Sequence, residues 1–146
     1  MTAEQRWLES ADAVAAGHPG WIMNLWEGYP AWITIPGPPH AKARPRVVRG
    51  RAYAPDGSAE RAIAWQMRSA HRGPPLEGPV AVYVRFWMPD LRARDLDNLA
   101  KCCLDAGNQA RLWLDDRQVV ALVALKDLDR ENPRTELAFG PRRGTC

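Results

Sequence analysis

The clearest periodic stretch of the chain is Val80–Met88, where Val80, Val82, Val84, Phe86 and Met88 alternate with Ala81, Tyr83, Arg85 and Trp87. A period of two is that of a β-strand, whose successive side chains point to opposite faces. Pro89 closes the strand because it has no N–H to give to a ladder. The period then changes. Leu99, Cys102, Cys103, Ala106 and Ala110 fall at i, i+3, i+4, i+7 and i+11, the buried stripe of a helix over 98–107. Asp97 is its predicted N-cap and Gly107-Asn108 its stop. Arg117–Lys126 is apolar on both faces, which predicts an inner strand. Arg134–Phe139 reads as a last strand, antiparallel to the one before.

Upstream, residues 3–16 read as an amphipathic helix with Trp7, Leu8, Ala11, Val14 and Ala15 on one side, ended by Gly17, Pro19 and Gly20. Trp21, Trp26 and Trp32 follow, and packing is the default role for such rings. Ala31–Ile35 is a first strand stopped by Pro36-Gly37-Pro38-Pro39. Val47–Tyr53 forms a short strand or hairpin around Gly50. Ser58 is placed to cap a helix running to about His71, which buries one side and offers Arg61, Arg68 and Arg72 on another. His71 reads as a helix-end residue.

The order β, α, β, α, β, β predicts an α+β fold, a small mixed sheet with helices packed on one face. Residues 1–30 are expected to form a helical, Trp-rich extension, 31–140 the main domain and 141–146 a frayed basic tail.

Composition narrows the function classes. A chain of 146 residues has room for one real core. It has no run of about eighteen apolar residues, so no membrane span is expected. Its acidic, polar start (Glu4, Glu9, Asp12) does not read as a secretory signal. Three cysteines, two of them adjacent, make neither a disulfide framework nor a CxxC zinc site, and a reducing cytoplasm fits.

Charge adds a partner. The net charge is only +3, but Lys42, Arg44, Arg46, Arg49 and Arg51 crowd together, and no acid occurs between Glu27 and Asp56. Such a segment attracts a polyanion, with strong dependence on salt.

Against that basic background the acids are concentrated. In Arg92-Ala93-Arg94-Asp95-Leu96-Asp97-Asn98-Leu99-Ala100-Lys101, two acids stand two residues apart behind two arginines and ahead of a lysine. In extended chain Asp95 and Asp97 point the same way. On a helix Asp97, Lys101 and Asp105 share a face. Leu114-Asp115-Asp116-Arg117-Gln118-Val119 adds two more acids, of which strand alternation admits one to a shared site without choosing between them. One reading is a carboxylate cluster with an adjacent lysine; the other is a cap and a solvated ion pair. Carboxylates suit magnesium, which takes oxygen ligands and keeps waters. Bound ions of that kind activate water and stabilise phosphoryl charge during phosphodiester cleavage.

These motifs carry a resemblance. Met88-Pro89-Asp90, the Arg94–Leu99 run with Lys101 and Asp105, and Trp113–Val119 resemble the RusA family of Holliday-junction resolvases. Ile35-Pro36-Gly37-Pro38-Pro39 with Lys42, Arg44, Pro45 and Arg46 is similar to the basic amino-terminal motif of its phage and prophage members. The match runs from about Trp32 to about Leu137 in the same order.

The resemblance implies a RusA-like fold and a homodimer that resolves four-way DNA junctions by paired symmetric nicks, in DNA recombination and repair. It implies Asp95, Asp97 and Asp116 as metal-binding catalytic acids and Lys101 as the essential lysine, with magnesium the ion and manganese the alternative. Asp90 and Asp105 are secondary candidates. Lys42, Arg44, Arg46, Arg49, Arg51, Arg92 and Arg94 become the expected phosphate contacts. Two other readings stand beside it: a branched-DNA-binding module without catalysis, and a metal nuclease for other branched or single-stranded DNA.

Overall fold

The computed structural model describes residues 17–42, 46–53, 57–92 and 94–144, with 46–48 and 51–53 described by their backbone. In chain order the strands and helices are β1 (Ala31–Pro36), β2 (Arg46–Val48), β3 (Arg51–Tyr53), α1 (Ser58–Ala70), β4 (Val80–Met88), α2 (Leu96–Gln109), β5 (Val119–Leu128) and β6 (Arg134–Pro141). The amphipathic helix expected over 3–16 lies outside the described residues.

Four strands form one mixed sheet in the order β1-β6-β4-β5, and β2 and β3 form a separate hairpin. β4 runs parallel to β5 and antiparallel to β6, which also pairs antiparallel with β1. This is the α+β arrangement that the alternation of periods predicts. Parallel neighbours need a crossover, and α2 supplies it between β4 and β5.

Two layers cover the sheet. On one face Val82, Val84, Phe86, Leu137 and Phe139 pack against Ala64 and Met67 of α1 and Leu99, Cys103 and Ala106 of α2. Each fully buried side chain of this size contributes about 1.5–3 kcal/mol by leaving water. On the other face a 3-10 segment, Gly20–Leu25, brings Ile22 and then Trp26 onto Ala81, Tyr83 and Ala138. Trp26 donates its indole N–H to the Ala81 carbonyl at 2.9 Å. This double cover explains why β4 is buried on both faces from Val80 to Val84. His18 fastens the second layer: its Nε2 lies 2.7 Å from Glu136 and its Nδ1 lies 2.8 Å from the Tyr83 hydroxyl. A carboxylate only accepts, so Nε2 is the ring nitrogen that donates to Glu136.

Several expectations are corrected. β5 is an edge strand, not an inner one; its apolar residues are only partly covered, and Val120 and Leu122 are exposed. β6 runs antiparallel to β5 as expected, but its partners are β1 and β4, between which it inserts. α1 begins after Gly57, which adopts a left-handed conformation with no side-chain cap, so Ser58 is the first helical residue and not the cap. Residues 141–143, expected to fray, are tied down: the N–H of Arg142 donates to the Pro79 carbonyl and that of Arg143 to the Leu25 carbonyl, each at 2.9 Å.

Candidate active site

The helix α2 starts two residues earlier than its apolar stripe suggests. Asp95 is the N-cap, with extended backbone, and Asp97 lies within the first turn. The two carboxylates therefore do not share one strand face; they flank the start of a helix, where the macrodipole favours negative charge. Both are exposed. Asp97 accepts the Asn98 N–H at 2.9 Å, and the Asn98 side-chain amide lies 3.5 Å from Asp95.

One turn on, about 6 Å along the axis, Lys101 leaves the same helix. Its ammonium lies 3.2 Å from Asp105 and 3.7 Å from Asp116. Lys42 reaches the other oxygen of Asp105 at 2.9 Å and Glu60 of α1 at 3.1 Å. The result is one alternating chain of charge, Glu60–Lys42–Asp105–Lys101–Asp116, joining α1, the loop after β1, α2 and the turn before β5. The backbone joins it too, since the Lys42 N–H donates to the Asn98 carbonyl at 2.9 Å.

The charges tune one another. Burial alone would raise the Asp105 carboxyl, but hydrogen bonds from Lys42 and Lys101 outweigh it and hold the group below its ordinary range. The hydrogen bond to Asp105, then that to Glu60, raises Lys42, so its ammonium persists well into the alkaline range. Lys42, expected as a plain phosphate contact, is thus part of the charge chain behind Lys101. Nothing in its spacing from Asp105 announced that pairing.

The two adjacent acids differ in their contacts at the 3-10 turn Asp116–Gln118. Asp115 is its N-cap: it accepts the Arg117 N–H at 2.9 Å, and Gln118 accepts the Asp115 N–H at 2.9 Å in return. The Arg117 N–H is the main reason the Asp115 carboxyl falls below its ordinary range. Asp115 is occupied with its own turn, while Asp116 faces Lys101.

Among the described residues no three His, Cys, Asp or Glu side chains come close enough together to hold a metal ion. Asp95, Asp97 and Asp116 accordingly do not form a cage; Asp116 stands with Lys101, which leaves α2 one turn after Asp97. The residues still fit magnesium in its usual manner, because that ion is often bound through one or two carboxylates, with waters and substrate phosphate completing the shell. Asp95 and Asp97, both exposed at the start of α2, offer two such carboxylates. Cys102 and Cys103 are unsuited to chemistry. Burial pushes the Cys102 thiol up to about 11 and the Cys103 thiol up to about 12, so both remain protonated packing groups.

The basic candidates divide. Arg94 is half-buried and donates to the Pro39 carbonyl at 3.3 Å, which ties the proline loop to the residue before Asp95. Arg92 is exposed, and Asp90 folds back to accept its N–H at 3.0 Å, so Asp90 serves the turn after β4. Arg49 is exposed at the tip of the β2–β3 hairpin, with φ 52°. Arg46 and Arg51 lie on the strands of that hairpin, and Arg44 lies outside the described residues.

Comparison with known proteins identifies the family. A family model described as "Endodeoxyribonuclease RusA" matches residues 36–139. The crossover junction endodeoxyribonuclease RusA of Escherichia coli strain K12 is 39% identical over 109 residues, covering 73% of this chain and 91% of that protein. Its counterpart from Enterobacteria phage 82 is 38% identical over the same length and shares. The matched span begins at the proline loop, takes in both acidic motifs and ends in β6. This chain belongs to the RusA family of endodeoxyribonucleases.

Proposed function

We propose that this protein is a magnesium-dependent, structure-specific endonuclease that resolves four-way DNA junctions by paired symmetric nicks, acting as a homodimer. The observation that carries the reading is the chain of charge ending in Lys101 and Asp116, in which Lys101 leaves α2 one turn after Asp97. A cap and a solvated pair need no such extended arrangement across four parts of the fold. Relatives 38–39% identical over 91% of their own length are named as crossover junction endodeoxyribonucleases.

In this reading Asp95 and Asp97 hold the ion. When bound, magnesium supplies Lewis-acid stabilisation of the phosphate and a more acidic water. Lys101 is kept beside Asp116 by Asp105 and offers its positive charge to the phosphate. Asp105 keeps Lys101 in place through one oxygen and Lys42 through the other. Arg92 and Arg49 are exposed cations placed to meet the DNA backbone, and such contacts position DNA without reading its sequence.

A two-fold dimer suits a two-fold substrate. β5 supports this: it lies at the edge of the sheet, and its exposed Val120 and Leu122 give a second copy an apolar surface. The test is cleavage of a labelled synthetic four-way junction in magnesium, beside linear duplex, single strand and flap. Nicks paired symmetrically in the junction alone are expected. Equal cutting of every substrate would make this a general metal nuclease, and tight junction binding without cutting would make it a binding module.

A further inference from the structure

Helix α1 carries a stripe that the candidate active site does not use. Arg61, Trp65, Arg68 and Arg72 fall at i, i+4, i+7 and i+11, so they follow one side of the helix to just past its end. All four are exposed, Trp65 to 71%. The core takes a different side, through Ala64 and Met67. An indole this open forgoes most of the burial for which tryptophan is suited. A single exposed apolar residue needs no explanation, but this one has a cation one turn before it and another one turn after it.

Charge selects the partner. No acid occurs between Glu60 and Glu77, and Glu60 itself is held by Lys42 at 3.1 Å. A second copy is a poor occupant, because a two-fold contact sets a patch against itself and three arginines would meet three more. A polyanion fits. Arg68 donates to the Gly73 carbonyl at 3.0 Å, which fixes its guanidinium near the helix end and leaves most of its N–H groups for phosphate. Arg68 and Arg72 are about 6 Å apart along the axis, and Arg61 and Arg68 about 10 Å. Those intervals suit the phosphates of one strand, with a base opposite Trp65. Cations along a backbone with an aromatic ring between them is the pattern that holds single strands. Arg61 directly follows Glu60, one end of the chain of charge that leads to Lys101. The stripe therefore begins beside the catalytic face and runs away from it along α1.

We propose that this face of α1 binds a single-stranded DNA segment adjoining the branch point, with a base stacked on Trp65 and the flanking phosphates on Arg61, Arg68 and Arg72. The inference rests on the reading of the protein as a junction endonuclease, which makes DNA the polyanion. It adds branched substrates with an unpaired arm to fully paired four-way junctions.

The test is fluorescence anisotropy of a short labelled oligothymidine, beside a linear duplex of the same length, titrated with the full chain in EDTA over a range of salt. Trp65→Ala is expected to weaken oligothymidine binding about tenfold with the salt slope unchanged, and to weaken duplex binding less than threefold or so. Trp65→Phe keeps a ring to stack on and is expected to stay within about threefold of the wild type. Arg72→Gln is expected to shrink the slope of log affinity against log salt by about 0.7, the effect of one lost contact to a single strand. A Trp65→Ala protein that binds oligothymidine like the wild type, or that loses duplex binding to the same degree, would overturn the stacking face. So would a change in its sedimentation, which would give the face to a second copy. Any of these results, with the wild type still cutting the four-way junction in magnesium, overturns this inference alone. A wild type that binds neither oligothymidine nor junction overturns it together with the reading on which it rests.

Discussion

The ammonium of Lys42 lies 2.9 Å from one carboxylate oxygen of Asp105, and the other oxygen of that group lies 3.2 Å from Lys101. One half-buried acid thus holds two lysines, of which the outer one, Lys101, faces Asp116. A long lysine side chain loses much freedom when it is fixed in this way, and such positioning is a recognised source of rate.

Asp105→Asn should therefore slow junction cleavage about tenfold or more, while costing the fold only about 1 kcal/mol, as partly exposed ion pairs do. Steady-state cleavage beside thermal melting separates the two effects. A melt that drops with cleavage unchanged would make Asp105 a purely structural group. The pH dependence has a definite sign. The folded carboxyl lies below its unfolded value, so its contribution is present above about pH 4 and is lost as the pH falls through the folded value. The stability gap between wild type and Asp105→Asn should close below that pH.

Arg49 occupies a left-handed conformation beside Gly50 at the hairpin tip, with φ values of 52° and 78°. Two-residue hairpin turns with both residues at positive φ favour Asn-Gly, and an arginine in this conformation costs roughly 1 kcal/mol. Arg49→Asn should leave stability unchanged or slightly improved. Junction affinity should fall, and the slope of log affinity against log salt should shrink by about 0.9, the effect of one lost phosphate contact. An unchanged slope would remove Arg49 from the DNA interface.

Gly107 packs under Trp113. A Cβ at residue 107 would stand 2.7 Å from Cη2 of that indole, which is fully buried. Gly107→Ala should thus destabilise by about 1–3 kcal/mol through overpacking, despite the better helix propensity of alanine. Denaturant unfolding measures this, and a stabilised variant would show that the indole has room to move.

The local elements were legible in the sequence because each carries its own period. Val80–Met88 was found to the residue, and the stripe from Leu99 to Ala110 named a face that is buried in full. What periodicity does not carry is pairing between distant segments. β5 reads as an inner strand because helices cover part of one face, and Ala121, Val123 and Leu125 meet the Trp26 layer on the other; its unpaired edge leaves no trace in its side chains. The site was legible in the same uneven way. Asp97, Lys101 and Asp105 share a helix face, so their spacing could be read directly. The link from Lys42 to Asp105 depends on how the proline loop crosses α2, which no spacing encodes. The start of α2 was misread because an aspartate at N-cap and one in the first turn both complement the macrodipole, so either suits a helix start.

The most direct test of the central claim is magnesium-dependent cleavage of a four-way junction by the wild type and by Asp97→Asn. Asp97 is exposed in the first turn of α2, so the substitution should shift stability by no more than about 1 kcal/mol. The predicted result is paired nicks from the wild type and none from the variant, with junction binding and melting temperature preserved. A folded Asp97→Asn protein that still cuts the junction at the wild-type rate would contradict the account.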